Sequence, residues 1–200
     1  PETKREMLRV MMLDDVDRLS DFIDDVLSAS RLAHDRVGMD LSEVRIADVV
    51  HECVAAVAAR HHLGEEAIRV EVDGTLTAHT DRAALLVVVR NLLDNAVKYS
   101  DAEVDVRVRA RETADGGLVI EVQDRGIGIP PHELKRVFHR FYRVPSESVR
   151  SRRGTGLGLF VVSALVRNLG GRVEARSDGP GHGTTMRVSL PAHSVTPRPA

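Results

Sequence analysis

Asn91 and Asn95 stand four residues apart in the stretch NLLDNAVKYS, residues 91–100, and Lys98 follows three later. On a helix these side chains share one face, a turn apart each. Asparagine is a poor helix-interior residue, so two amides and an ammonium beside Leu and Val need a reason. One reason is chemical. An amide oxygen is a hard donor of the kind Mg²⁺ accepts, and Mg²⁺ keeps waters and substrate phosphates in its shell. An ammonium supplies a point charge for phosphate. The other reason is structural: both amides hydrogen-bond to neighbouring backbone.

Three further stretches carry chemistry. DRGIGIP, residues 124–130, follows a strand-like run. A buried Asp124 carboxylate only accepts hydrogen bonds, so it suits the exocyclic amine of adenine and repels the carbonyl guanine has there. Gly126 and Gly128 permit close approach to a flat ligand. The competing reading is a plain Asp-Gly turn. RRGTGLGLF, residues 152–160, opens a helix with Gly154, Gly156 and Gly158, and free N–H groups at such a start hold anions. No strand precedes it, which removes a dinucleotide-fold reading. FHRFYR, residues 138–143, holds three of the six aromatic residues and anchors the loop that follows. That loop, 143–153, carries Arg143, Arg150, Arg152 and Arg153 against Glu147, or 4 − 1 = +3. A basic flap between an apolar anchor and a glycine-opened helix reads as a lid over a polyphosphate.

The elements that must position these groups follow from periodicity. Residues 4–37 read as one long helix, with Met12, Val16, Leu19, Ile23, Val26, Ser30, Ala33 and Val37 in alternating steps of four and three. That is a coiled-coil or bundle seam needing a partner helix. The six aspartates from Asp14 to Asp25 fall off the seam, as a solvated face or a docking face for a basic partner. Helices are expected near 44–60, 81–98, 131–141 and 155–169, and strands near 67–72, 103–110, 117–123, 171–177 and 184–190. Gly116-Gly117 marks a hairpin, and Gly170-Gly171 a helix end. The expectation is a sheet covered on one face by helices.

Bulk properties bound the function. The 200 residues carry a net charge of −2, so no basic field points to nucleic acid. Cys53 is the only cysteine, which excludes an internal disulfide. No apolar run approaches the ~20 residues of a membrane span. The chain starts at Pro1 without a signal peptide and reads as a piece of something longer.

In order and spacing, NLLDNAVKYS, DRGIGIP, FHRFYR and GTGLGL together resemble the N, G1, F and G2 boxes of sensor histidine kinases. Those belong to a wider group with gyrase, the Hsp90 chaperones and MutL. The resemblance covers roughly residues 41–191. It implies an α+β fold: a two-layer α/β sandwich, a mixed sheet covered on one face by helices (Bergerat-type ATP-binding fold), preceded by one long bundle helix. Residues 1–40 then resemble part of a dimerisation and phosphotransfer hairpin, 41–191 the catalytic ATP-binding domain, and 192–200 a disordered tail. The implied cofactors are ATP and Mg²⁺, with Asn95 as the metal ligand and Asn91 a polar neighbour of the phosphates. Lys98 would contact phosphate and Tyr99 flank the nucleotide. Asp124 would read the adenine amine in a pocket shaped by Gly126, Gly128 and Ile129. Arg143 and the later lid arginines, Arg153 among them, would approach the triphosphate, and Gly154, Thr155, Gly156, Leu157, Gly158 and Leu159 would form the lid-side helix start. Thr184, in GHGTTM, would assist adenine binding through its hydroxyl.

The sequence departs from that family in one respect. Its phosphoacceptor motif, a histidine followed by Glu and often Arg and Pro, has no counterpart. His51-Glu52 continues with Cys53-Val54 and lies after the bundle helix, so His51 reads as an ordinary helix residue. The accepting histidine is expected upstream of Pro1. The implied partners are ATP, a response regulator receiver domain acting through the full-length kinase, and a second copy forming a homodimer through the hairpin in the parent protein. The resemblance places this domain in the cytoplasm and allows a parent attached to the inner membrane. Two alternatives stay open. An ATPase clamp of the gyrase, Hsp90 or MutL kind would use a glutamate one turn before the metal-binding asparagine. That position is Asn91, and an amide cannot act as a general base. A non-catalytic docking module with a decayed pocket is the other, although every matched motif residue is intact.

Overall fold

The computed structural model describes residues 9, 39–101, 103–152 and 154–192; the seamed helix expected at 4–37, apart from Arg9, and residues 193–200 of the expected tail lie outside them. The chain divides into two compact units, Pro1–Val37 and Gly38–Ala200, and the second carries every element below.

β1 (Leu41–Arg45) pairs antiparallel with β3 (Thr77–Asp81) in a small two-stranded sheet. Five further strands form the main sheet: β2 (Ile68–Val72), β4 (Val106–Glu112), β5 (Leu118–Asp124), β6 (Arg172–Arg176) and β7 (Thr184–Leu190). Their spatial order is β2-β4-β5-β7-β6. β2 runs parallel to β4, and every other pairing is antiparallel, so the sheet is mixed. Three long helices cover one face: α1 (Ile46–His61), α2 (Arg82–Lys98) and α4 (Gly158–Asn168), with a single four-residue turn, α3 (Glu147–Arg150), between α2 and α4.

Strand alternation decides which face is covered. Val106, Val108 and Ala110 of β4, Leu118, Ile120 and Val122 of β5, and Met186, Val188 and Leu190 of β7 are buried against the helices in one cluster. The helices supply Val49, Val50 and Val57, then Leu85, Val88, Val89, Leu92 and Leu93, then Val162 and Val166. Each such side chain removed from water is worth roughly 1.5–3 kcal/mol. On the opposite face one register row reads Glu71, Arg109, Glu121, Arg187, Glu174 across all five strands, alternating in sign. Arg109 bonds Glu71 at 2.7 Å, and Arg187 lies 3.6 Å from Glu121.

The helix ends have local causes. The Asp81 carboxylate accepts from the Ala84 amide at 2.9 Å and caps α2. α4 ends where Gly170 takes φ +73°, with the Gly171 amide reaching back to the Val166 carbonyl at 2.8 Å. Gly116, at φ +78°, turns the β4–β5 hairpin.

Two expectations are corrected. The helix expected near 131–141 is two 3₁₀ turns, Pro131–Glu133 and Arg136–Phe138. The buried positions there, Glu133 and Val137, do recur at four, but i→i+3 bonds close the turns and Phe141 at φ +60° ends the winding. Residues 44 and 45, expected as helix, belong to β1, and β3 was not expected as a strand. Both strands are short, and β3 (TAHTD) lacks an apolar alternation. Among the described residues no helix is long and apolar enough to cross a membrane.

Candidate functional site

The inward row of β5 is apolar until its last member, Asp124, which faces the helix layer with only 8% of its surface exposed. Its Oδ1 accepts from the Gly126 amide at 2.8 Å and from the Thr184 amide at 3.1 Å. Among the described residues Oδ2 takes no hydrogen bond, so one oxygen is spent on the fold and one is left over. Burial pushes the carboxyl above its ordinary 3.8, and the two amide bonds oppose that shift. Thr184 therefore contributes its main-chain N–H to Asp124.

The loop after Asp124 is held from two sides. The Ile127 amide donates to the Tyr99 carbonyl at 3.0 Å, and a Cβ on Gly126 would lie 2.1 Å from that same oxygen. On the other side the Gly183 amide donates to the Gly126 carbonyl at 3.1 Å, and the Gly181 amide to the Ile127 carbonyl at 2.7 Å. Gly128, at φ +69°, packs against the Gly179 carbonyl, which a Cβ would meet at 2.1 Å. Ser177 cross-braces the two loops: its Oγ accepts from the Ile129 amide at 3.0 Å and donates to the Gly183 carbonyl at 2.6 Å. Ile129 itself is half-buried against the core.

The polar row of α2 lies beside this loop. Asn91, Asn95 and Lys98 are half-buried, while Leu92, Leu93, Ala96 and Val97 on the same helix are buried. The Asn91 amide donates to the Val87 carbonyl at 2.9 Å, the backbone bond that was the structural reading of this residue. Its oxygen points at the start of α4, where a Cβ on Gly158 would lie 2.7 Å from Asn91 Oδ1 and 3.8 Å from Asn95 Nδ2. Lys98 extends over the Tyr99 ring, 4.8 Å from its centroid, and its Nζ lies where a Cβ on Gly154 would be, 2.1 Å away. The α2 row thus meets Gly154 and, at the start of α4, Gly158.

The loop from Arg143 to Leu157 closes the third side. Arg143 donates to the carbonyls of Val149 and Arg152, so its guanidinium braces the loop itself. Arg153 lies outside the described residues. The Phe141 amide donates to the Gly156 carbonyl at 3.1 Å, with Gly156 at φ +76°. Thr155 accepts from the Leu157 amide at 3.1 Å; Leu157 is buried and Leu159 packs against the core, so both anchor the helix start. At the loop's base Tyr142 donates to the buried Glu133, and Arg136 stacks on the Tyr142 ring at 4.6 Å.

The structure brings together Asn91, Asn95, Lys98, Tyr99, Asp124, Gly126, Gly128, Gly154, Gly158 and Thr184. Sequence reasoning missed Ser177, Gly179, Gly181, Gly183 and Glu133. The run SDGPGHG, with glycines at alternate positions just before a strand, was a readable signal for the first four. A lone glutamate in a polar stretch gave none for Glu133.

Residues 80–194 match the family model described as histidine kinase-, DNA gyrase B-, and HSP90-like ATPase, which is more than half of the 200 residues. The chain belongs to this ATPase family. Among its relatives, the sensor-like histidine kinase SenX3 of Mycolicibacterium smegmatis is 33% identical over 199 residues, 96% of this chain and 50% of the relative. The signal transduction histidine-protein kinase/phosphatase MprB of Mycolicibacterium paratuberculosis is 36% identical over 202 residues, 98% of this chain and 37% of the relative. The chain thus spans half or less of the length of these relatives. A solved mycobacterial sensor histidine kinase MprB superposes with TM-score 0.65 at 32% identity, covering 77% of this chain and all of that one. Full-length ShkA in complex with AMPPNP superposes with TM-score 0.76 at 25% identity, covering 98% of this chain and 40% of that one. Within the ATPase family the similarity is thus to sensor histidine kinases.

Proposed function

We propose that the second unit is the ATP-binding catalytic domain of a sensor histidine kinase: it holds Mg-ATP and presents the γ-phosphoryl group to a histidine outside the motifs of this chain, for relay to an aspartate of a response regulator. The observation that carries the reading is Asp124. A buried carboxylate with one oxygen committed to two amides and the other available accepts an exocyclic amine and rejects a carbonyl. The α2 polar row, with Gly154 and Gly158 against it, adjoins the loop after Asp124, where phosphates of a nucleotide seated on Asp124 would extend.

The donor chemistry fits a magnesium ion shared with a nucleotide. Among the described residues no group of three His, Cys, Asp or Glu side chains could hold a metal by itself. Asn95 offers one hard amide oxygen, which suits an ion that completes its shell with phosphates and water. When bound, that ion neutralises charge on the phosphates. The chain's own residues do the rest: Asp124 fixes the base, Lys98 neutralises phosphate charge, and the N–H groups at the start of α4 face the anion. Asn91, one turn before Asn95, has no basic group to activate water, which favours transfer over hydrolysis. In phosphoryl transfer most of the protein's contribution is positioning and charge stabilisation.

The test is a calorimetric titration with ATP, with and without Mg²⁺. Binding should require the metal, and Asn95→Ala should weaken it at least roughly tenfold, the scale on which even outer partners of a metal act. Equal Mg-ATP affinity in wild type and variant would remove the metal assignment. No adenine-nucleotide binding at all would remove the proposal.

A further inference from the structure

Arg152 makes a set of bonds the sequence did not suggest. As one of four arginines in a basic loop, it was expected to approach a triphosphate. Its guanidinium instead ends on protein oxygens: Nη1 donates to the carbonyls of Lys98 at 2.6 Å and Ser100 at 2.5 Å, and Nη2 to Asp101 Oδ1 at 2.9 Å. Only 21% of its side chain is exposed. The Lys98 carbonyl is the last of α2 and the Ser100 carbonyl lies two residues beyond it; at a helix end the last carbonyls lack intrahelical donors and the dipole favours a cation. The acceptors lie 52 and 54 residues away in sequence, so the contact joins two separate parts of the site.

Arg143 completes the arrangement from the other end of the loop. By donating to the carbonyls of Val149 and Arg152, it fixes the main chain from which the Arg152 side chain departs. Two residues beyond Arg152, Gly154 rests against Lys98 Nζ. Lys98 thus offers its carbonyl to Arg152 while its ammonium faces the glycine that follows.

We propose that Arg152 is a positioning residue, a clasp that docks loop 143–157 onto the end of α2 so that closing the loop and placing the Lys98 ammonium are one event. This deepens the nucleotide-binding reading and rests on it. The clasp makes a distinctive demand. An arginine that touches the terminal phosphate weakens ATP binding more than ADP binding when lost. A clasp that acts through Lys98 and the loop weakens both by the same factor.

The experiment uses the full chain and the variant Arg152→Met, which keeps the aliphatic stem. Hydrogen exchange without nucleotide comes first. Amides of Tyr99, Ser100 and residues 141–152 and 154–157 should exchange about tenfold faster, the scale of losing hydrogen bonds from a charged donor, while those of β4 and β5 keep wild-type rates. Arg152→Lys, which can still donate to the two carbonyls, should restore most of the protection. Titrations with Mg-ATP and Mg-ADP should then show equal weakening in the methionine variant. Unchanged loop exchange, or a loss of ATP affinity with ADP affinity intact, would overturn the clasp. If the wild type bound neither nucleotide, the nucleotide reading would fail, while the exchange comparison would still report whether Arg152 docks the loop.

Discussion

Asp124 carries two loads that pull in opposite directions. Its folded-state pKa is raised, with burial as the leading cause. A raised carboxyl contributes stability that is full below its unfolded value and lost as pH rises through the folded value. At neutral pH the buried charge therefore costs stability. Asp124→Asn removes that charge and can keep one oxygen on the Gly126 and Thr184 amides. Thermal melts should show the variant at least as stable as wild type at pH 7, with the advantage gone by about pH 4. On the proposed reading its adenine-nucleotide affinity should fall about ten- to hundredfold. A hydrogen bond to a charged acceptor is worth roughly 1.5–3 kcal/mol, and the Asn amide would present a donor to the base amine. A variant that lost both stability and binding would show that Asp124 is only a structural turn residue. At this scale the sequence was informative about residue types: Asn91, Asn95 and Lys98 lie on one helix, α2, whose end meets the glycine loop after Asp124. It was silent on where side chains end. Arg143 and Arg152 are cationic in any reading, and it is the fold that brings them to main-chain carbonyls.

Among elements, the contact between the loop after β5 and the end of α2 sets the geometry of the site. Gly126 touches the Tyr99 carbonyl so closely that any side chain must displace backbone, whereas a Cβ on Gly74 would meet nothing within 4 Å. Gly126→Ala should destabilise by roughly 1–3 kcal/mol, the range for forcing extra atoms into packed structure. Gly74→Ala should stay within about 0.5 kcal/mol of wild type. Denaturant melts of the two variants decide the matter, and equal stabilities would show that the loop shifts away at little cost. The long periodic elements were legible: α2 was expected at 81–98 and is Arg82–Lys98, and the last strand was expected at 184–190 and is Thr184–Leu190. What failed was short or locally wound. β1 and β3 exist because they pair with each other, a tertiary fact. The segment 131–141 has helical spacing of buried residues, yet 3₁₀ bonds and the left-handed Phe141 break it up.

For the molecule as a whole, the candidate site draws on residues 91–99, 124–129, 141–152, 154–158 and 177–184, which a bound ligand would tie together. A ligand that binds only the folded state at about 100 times its Kd adds roughly 2.7 kcal/mol. For a domain of this size that corresponds to a rise in Tm of roughly 5–10 °C. Mg-ATP should produce such a rise by calorimetry and GTP should not, because the Asp124 carboxylate faces a carbonyl in that base. Equal shifts from both would remove Asp124 as the reader of the base. The two-layer architecture was legible because inward and outward positions alternate along β4 and β7. The alternating row on the uncovered face was not, because strand order cannot be read from periodicity. That row has a consequence in acid. Glu71, Glu121 and Glu174 are the carboxylates of that row, and Asp105, just before β4, pairs with Arg69 and Arg125, whereas Arg69, Arg107, Arg109, Arg111, Arg172, Arg176 and Arg187 share the same face. Arg109, followed by its neighbouring arginines, holds Glu71 below its usual range, so its charge outlasts that of a free glutamate as acid is added. Once these carboxylates and Asp105 are protonated, the checkerboard is left with its arginines, which repel one another between strands and gather anions from the buffer. The choice of acid, sulfate against chloride, would then govern how the sheet comes apart.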